Sequence, residues 1–434
     1  MSVRLDTPYL EDGILSTHFF NGRLLSGEDL RQEQLARGEW LKLLGRSVGE
    51  GIVHGLEVSA PLGANSTAKL SVKVGPGLAL NREGQALVLR DAVDVLLGPA
   101  GKPRSVSTTG SGDFQDCRPS ADLSVTGTGL YLLTLAPDEG YVGRAPVSGL
   151  GPNEPACNAK QRVAGVRFRL LKLKFDAPDP KAPRLRNQVA HLCFGTKDPR
   201  RLGALVHPFG NPPERYGLLD DHRRPDALTD QEVPLALLYW QESFGIHFMD
   251  MGAVRRRPTR VEHTGRWAPL LGERRASEAE AVLLQFQEHL QALLDMSAPE
   301  KVRATKYFDY LPPAGVLPLK LGSFKGFSAE TFFQGIPWRQ YVIDGDHLEP
   351  LLRQSLAHAP IELARDPETA PREFLWVYLI RQNQQAVSEG QGVQPYLVFA
   401  SGHLPYRGDA RADVARAEYA HVAIPRPGEE PPAG

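Results

Sequence analysis

Three long tracts crowded with glycine and proline, at 99–129, 136–155 and 176–234, limit how this chain can fold more than any other feature does. Glycine enters the left-handed backbone region at no steric cost, and proline lacks a backbone donor, so neither sustains a long helix or a central strand. With 42 glycines and 36 prolines in 434 residues, the chain is richer in both than average. Their clustering predicts compact units joined by long loops. Between the tracts, short segments alternate apolar and polar residues with tight turns, the pattern of antiparallel strands. The expected fold class is α+β and mainly antiparallel β, with small β-sandwich or barrel-like modules, a few helices and long Pro/Gly-rich loops.

Five regions follow from this pattern. In 1–100, Ser26 stands three residues before Asp29 and predicts a capped helix with a break near Gly38. Short strands follow at 52–58, 70–74, 78–80 and 87–89. The 101–270 region is a β-rich middle domain with long loops. Its strands fall at 130–135, 163–175, 233–240 and 246–254, with a loop at 136–155 and an irregular tract at 176–230. Within 163–175, Val166, Phe168 and Leu170 and then Leu171, Leu173 and Phe175 form two period-2 sets, which predicts a bulge between Leu170 and Leu171. Residues 271–300 form an amphipathic helix with a capping box of Ser277 and Glu280. The stretch 301–424 is a C-terminal α/β module, and 425–434 is a disordered tail.

The 50 Lys and Arg against 51 Asp and Glu leave a formal charge of −1, which argues against a phosphate-tracking surface and for protein partners. The three cysteines, Cys117, Cys157 and Cys193, are far apart and form no C-x-x-C pair, so neither a disulfide framework nor a zinc site is expected. No cofactor is expected either. The first residues are acidic where an export signal needs an apolar run, and no apolar stretch approaches the ~20 residues of a membrane span. A soluble, cytoplasmic chain is the expectation.

No G-x-S-x-G elbow, Walker phosphate loop or H-E-x-x-H motif occurs, and Gly149-Leu150-Gly151 runs into Pro152, which cannot open a dinucleotide-binding helix. Two clusters offer hydrolase chemistry: Asp220, Asp221 and His222, and Asp344, Asp346 and His347 with Glu349. The first reads as a solvated charged loop and the second as a turn whose aspartates cap a helix. A non-enzyme is expected. Arg255, Arg256 and Arg257, with Arg260 and Arg266, are the densest basic segment and suit either a protein partner or ion pairs at a strand edge. The aromatic stretch 306–315, with Tyr310, Pro312 and Pro313, suits a core-lining loop or a docking ridge.

Four segments together carry a resemblance. They are Phe19-Phe20-Asn21-Gly22-Arg23-Leu24-Leu25 with Glu28-Asp29-Leu30 and Glu33-Gln34; Gly51-Ile52-Val53-His54-Gly55-Leu56-Glu57-Val58; 233–239 with 254–257; and Tyr310-Leu311-Pro312-Pro313-Ala314-Gly315. Cys157 with Arg162 five residues on adds to them. The chain resembles proteins encoded beside phage-tail-like contractile injection systems, whose N-terminal region reads F-x-G-R-L-L, a Glu-Gln-rich helix, then G-L-x-V. The resemblance implies a structural, non-catalytic component at the baseplate or at a peripheral or terminal position. Its partners would be tube, sheath or baseplate proteins, with no nucleic acid and no direct membrane insertion, and it would be present in multiple symmetric copies. It would be cytoplasmic during assembly, then released or membrane-associated with the particle. The family carries no catalytic residues to transfer. Interface or structural anchors are expected at Phe19, Phe20, Arg23, Leu24, Leu25, Leu30, Trp40, Arg255, Arg256, Arg257, Tyr310, Pro312, Pro313 and Trp338. An alternative is a carbohydrate- or receptor-recognition module of such a particle.

Overall fold

The computed structural model describes residues 6, 9–60, 71–97, 127–146, 157–175, 182–207, 209, 215–241, 244–260, 273–364 and 374–404. Residues 99–126 of the loop expected at 99–129, Arg266 and the expected tail at 425–434 lie outside them. The architecture is α+β with mostly antiparallel sheets and no closed barrel among the described residues.

The chain begins with helix α1, Gly27–Val48, whose Ser26 and Asp29 side chains cap each other's backbone in a reciprocal box. No break occurs at Gly38. A lone glycine costs an exposed helix only about 1 kcal/mol, which the surrounding residues outweigh. Strands β1 (Gly51–Gly55), β2 (Val58–Ser59), β3 (Ser71–Val74), β4 (Gly77–Leu80), β5 (Ala86–Leu89) and β6 (Val93–Leu96) form two three-stranded antiparallel sheets, ordered β1-β4-β5 and β2-β3-β6. Two glycines set how α1 meets them. A Cβ on Gly45 would lie 2.0 Å from the Gly84 carbonyl oxygen, and one on Gly84, at φ +80°, would lie 2.0 Å from that of Lys42. Helix and turn touch backbone to backbone, so neither position admits a side chain.

The middle sheet is ordered β10-β9-β7-β8, where β7 is Gly129–Pro146, β8 Cys157–Leu173, β9 Val233–Gln241 and β10 Gly245–Asp250. Strands β7 and β8 pair continuously from Leu130 opposite Leu173 to Pro146 opposite Cys157. Two expectations are corrected here. Residues 136–146 continue the strand instead of forming a loop, and no bulge separates Leu170 from Leu171, which stand opposite Leu133 and Leu132 in unbroken register. The two period-2 sets are the two faces of one strand, because this sheet is buried on both. Tyr131, Leu133, Leu135, Leu170, Leu235 and Leu238 share one core with Leu56, Val72 and Leu87 of the first sheets. Leu130, Leu132, Leu173, Leu237 and Tyr239 share another with the helices on the far side. Bulges lie instead in β9, where Leu133 faces Ala236 and Thr134 faces Pro234, and in β10, where Ile246 faces Trp240 and Phe248 faces Tyr239.

Three helices occupy the tract expected to be irregular: α2 (Leu185–Cys193), α3 (Pro199–Val206) and α4 (Leu218–His222). Helix α5, Glu273–Leu294, starts before the expected cap, so Ser277 sits inside the helix and caps nothing. Its Ala281 and Val282 enter the core against the middle sheet. One to three turns further on, Phe286, Leu290 and Leu293 enter the C-terminal core. One helix thus fastens two cores together. The C-terminal sheet has β11 (Tyr310–Leu311) paired with β14 (Ile361–Glu362) beside a four-stranded sheet. That sheet is ordered β12-β16-β15-β13, from β12 (Ala314–Pro318), β13 (Trp338–Ile343), β15 (Leu375–Ile380) and β16 (Tyr396–Ser401). Only β13 and β15 run parallel among these pairs.

Two buried histidines tie stability to pH. Burial, helped by Arg201, pushes the His191 imidazole down to about 3. Burial, with Arg186 nearby, keeps His289 well below the ordinary histidine range. The unfolded chain takes up these protons below about pH 6.5 and the native state does not, so stability is intact above that pH and falls as pH drops towards 3. At pH 5 His191 is expected to cost about 2 kcal/mol, and His289 adds to the loss in the same direction. Urea midpoints at pH 7 and 5 check this: the acid loss should shrink in His191→Asn, and an unchanged loss would contradict it.

Candidate interaction surface

The arm 9–26 folds against α1 through polar bonds. Thr17 Oγ1 donates to the Asp29 carbonyl at 2.7 Å, Gln32 Nε2 to that of Leu15 at 2.7 Å, and Arg23 to that of His18 at 2.7 Å. Arg23 also pairs with Asp29 and lies 6.0 Å over the Phe20 ring. Hydrogen bonding to Ser26 and the Arg23 guanidinium hold the Asp29 carboxyl below its usual range. Polar groups turn inward and apolar ones outward. Phe19, Phe20, Leu25 and Leu30 are exposed, Leu24 to 93%.

Helix α1 continues the same face. Of its 22 residues only Ala36 and Gly45 are buried. Trp40, Leu41, Leu44 and Val48 recur at three- and four-residue spacings, and Trp40 and Leu44 are 60% and 63% exposed. So many exposed large apolar side chains in one short segment are uncommon on a surface that faces only water. All six N-terminal apolar anchors expected from the sequence, Phe19, Phe20, Leu24, Leu25, Leu30 and Trp40, lie on this surface, and Arg23 braces it.

The remaining anchors lie elsewhere. Arg255 donates to the Gly55 and Leu56 carbonyls, binding the end of the middle sheet to β1. Arg256 donates to the Gly252, Ala253 and Arg255 carbonyls and lies 4.8 Å over the Phe194 ring. Only Arg257 is exposed, and it pairs with Glu280 at 2.9 Å. The basic run is therefore an internal strut. Tyr310, Pro312 and Pro313 are buried, not a docking ridge. Asn187 Oδ1 accepts from the Asp309 and Tyr310 amides at 2.9 and 3.0 Å, and the Tyr310 ring stacks 4.4 Å from that of His191. Trp338 is half-buried on the edge strand β13, beside Phe333.

Each acidic cluster departs in part from the form expected of it. Asp220 is buried in α4 and pairs with Arg274 at 2.8 Å and Arg82 at 3.5 Å, an internal ion network, while Asp221 and Arg224 stay exposed. Asp221 pairs with Arg200. His222 accepts the Lys174 amide at Nε2 and meets the Leu218 carbonyl at Nδ1, which occupies both ring nitrogens. Asp344 stands at the N-cap of the turn Gly345–His347 that leads into the helix Leu348–Ser355, but it makes no capping bond and pairs with Arg381 at 3.1 Å. The aromatics that would furnish a glycan platform in the C-terminal half, Phe286, Phe308, Phe327, Phe332, Phe333 and Phe399, pack against one another in the core.

One exposed feature carried no sequence signal. Beyond Leu135, β7 has β8 as its only strand partner among the described residues, and this two-stranded arm exposes Tyr141, Val142 and Val163. No helix of the described residues is long and apolar enough to cross a membrane.

No family model and no curated protein matches the chain. Among solved structures, that of TssK, a type VI secretion baseplate component, aligns over 66% of this chain with 8% identical residues and a TM-score of 0.25. The chain covers 53% of that structure, about half its length. A TM-score this low does not establish a shared fold.

Proposed function

We propose that the protein is a non-catalytic structural subunit of a phage-tail-like contractile injection particle, placed at the baseplate or a peripheral or terminal position. The observation that carries this reading is the outward apolar face of the arm and α1, which coincides with the N-terminal segment that resembles proteins of such particles. Burying an exposed leucine or tryptophan contributes about 1.5–3 kcal/mol, so several along one helix favour a protein partner. The two-stranded β7/β8 arm offers a second contact point, since an edge strand presents free backbone groups. Tube, sheath or baseplate proteins are the partners, and symmetric copies would each present the same face. The chain would be cytoplasmic during assembly and leave or meet a membrane only with the particle. Mass spectrometry of purified particles tests this: the polypeptide should be present at a fixed ratio to the tube protein, and its absence would overturn the reading.

A further inference from the structure

A cleft of about 940 Å³ lies between the C-terminal half of α1, α4, the start of β9 and the first turns of α5. That volume falls within the range of small-molecule sites, roughly 300–1,000 Å³. Its lining holds eight Lys and Arg against five Asp and Glu. Four of the five carboxylates are already engaged by arginine: Glu50 by Arg82 and Arg223, Asp220 by Arg82 and Arg274, Asp230 by Arg82 and Arg223, Glu278 by Arg274. The fifth, Glu83, accepts from Gln231 Nε2. Arg46 and Arg215 line the cleft with no carboxylate partner among the described residues, and the exposed Arg260 guanidinium meets only the Ser47 carbonyl through Nε, whereas Arg256 is committed to backbone carbonyls.

Two buried polar groups in the lining are also unsatisfied. Ser277 is 2% exposed and its Oγ has no hydrogen-bond partner, although a serine inside a helix ordinarily bonds a carbonyl one turn back. The Arg223 side chain is 6% exposed and its Nε likewise has none. A buried donor left unpaired costs about 1–3 kcal/mol, and an oxyanion accepts from hydroxyl and guanidinium alike.

We propose that this cleft binds a compact multivalent oxyanion, held by Arg46, Arg215 and Arg260 at its rim and by Ser277 and Arg223 at its buried surface. Guanidinium forks match phosphate and carboxylate oxygens, so either group supplies the chemistry. This activity goes beyond the subunit reading and does not rest on it.

Isothermal titration of the full chain with tripolyphosphate and, separately, citrate tests the proposal. Saturable one-site binding is expected for at least one at concentrations up to about 1 mM. Binding of tripolyphosphate assigns a phosphate ligand, and binding of citrate alone a carboxylate one. In the Arg46→Ala/Arg260→Ala variant, which touches only exposed side chains, affinity should fall by at least about tenfold with an unchanged melting temperature. Ser277→Ala should weaken binding by a smaller factor. No saturable binding of either anion, or wild-type affinity in the double variant, would overturn the site.

Discussion

Replacing Asp250 with alanine is expected to destabilise the protein by about 3–5 kcal/mol, the usual cost of stranding one partner of a buried ion pair. Asp250 is 1% exposed at the end of β10. It accepts from Arg186 Nε on α2, from Gln285 Nε2 on α5 and from the Ala253 amide, each at 2.8 Å. Arg186 reaches on to Glu288 at 2.8 Å, and Glu288 accepts the Gly252 amide at 3.1 Å. Burial and the neighbouring Asp250 raise the Glu288 carboxyl above its ordinary range, against the pull of Arg186. Removing Asp250 leaves Arg186 buried with half its charge balance, and the sheet loses its polar tie to both helices. Urea titration should show a large drop in midpoint, with Asp250→Asn intermediate because it keeps the shape and part of the bonding. A midpoint equal to wild type in Asp250→Ala would show that the network carries no stability.

The double variant Trp40→Asp/Leu44→Asp should separate folding from assembly. Both side chains already face water on α1, so the melting temperature should stay near that of the parent. Incorporation into particles, read as the ratio to tube protein, should fall by at least about 100-fold, since each lost central apolar anchor typically costs 2 kcal/mol or more. Arg31→Ala, on the polar part of the same helix, should leave the ratio unchanged. A variant that loses incorporation only because it unfolds would show itself in the melting temperature.

Which parts of this structure the sequence disclosed depends on local chemistry. Ser26 and Asp29 announce the start of α1 because a capping box is written in two residues three apart. The alternation of Val72 with Val74 and of Leu87 with Leu89 survives in the fold, whereas the strand expected at 52–58 is split at Leu56, φ +58°, into β1 and β2 of different sheets, and in β4 Ala79 is buried while Leu78 and Leu80 are half-buried. Helix α2 was hidden for a physical reason. Its Arg186, Asn187 and His191 are buried along with Leu185, Val189 and Ala190, so no polar face marks it, and Arg184 at its N-cap makes no side-chain bond. The extension of β7 was hidden by Pro137, Gly140 and Gly143, residues that read as loop. They are tolerated because this part of the strand has β8 as its only strand partner among the described residues. Ser277 misled because a Ser-x-x-Glu spacing inside a helix looks the same as one at its start.

The candidate surface shows a similar division. Phe19, Phe20, Leu24 and Trp40 are exposed, because the arm and α1 are nearly all surface. Arg256 and Tyr310 were equally attractive by residue type and are internal. Their partners, the Ala253 carbonyl and Asn187, are decided by long-range packing that spacing does not encode.

The most direct test of the central claim is photo-crosslinking from benzoylphenylalanine placed at Leu44 on α1, at Tyr141 on the two-stranded arm, and at exposed Gln391 as a control, in particles assembled in the native host. Crosslinks to another particle subunit are expected from Leu44 and from Tyr141, with none from Gln391. Particles in which Leu44 gives no crosslink, or no more than Gln391, would contradict it.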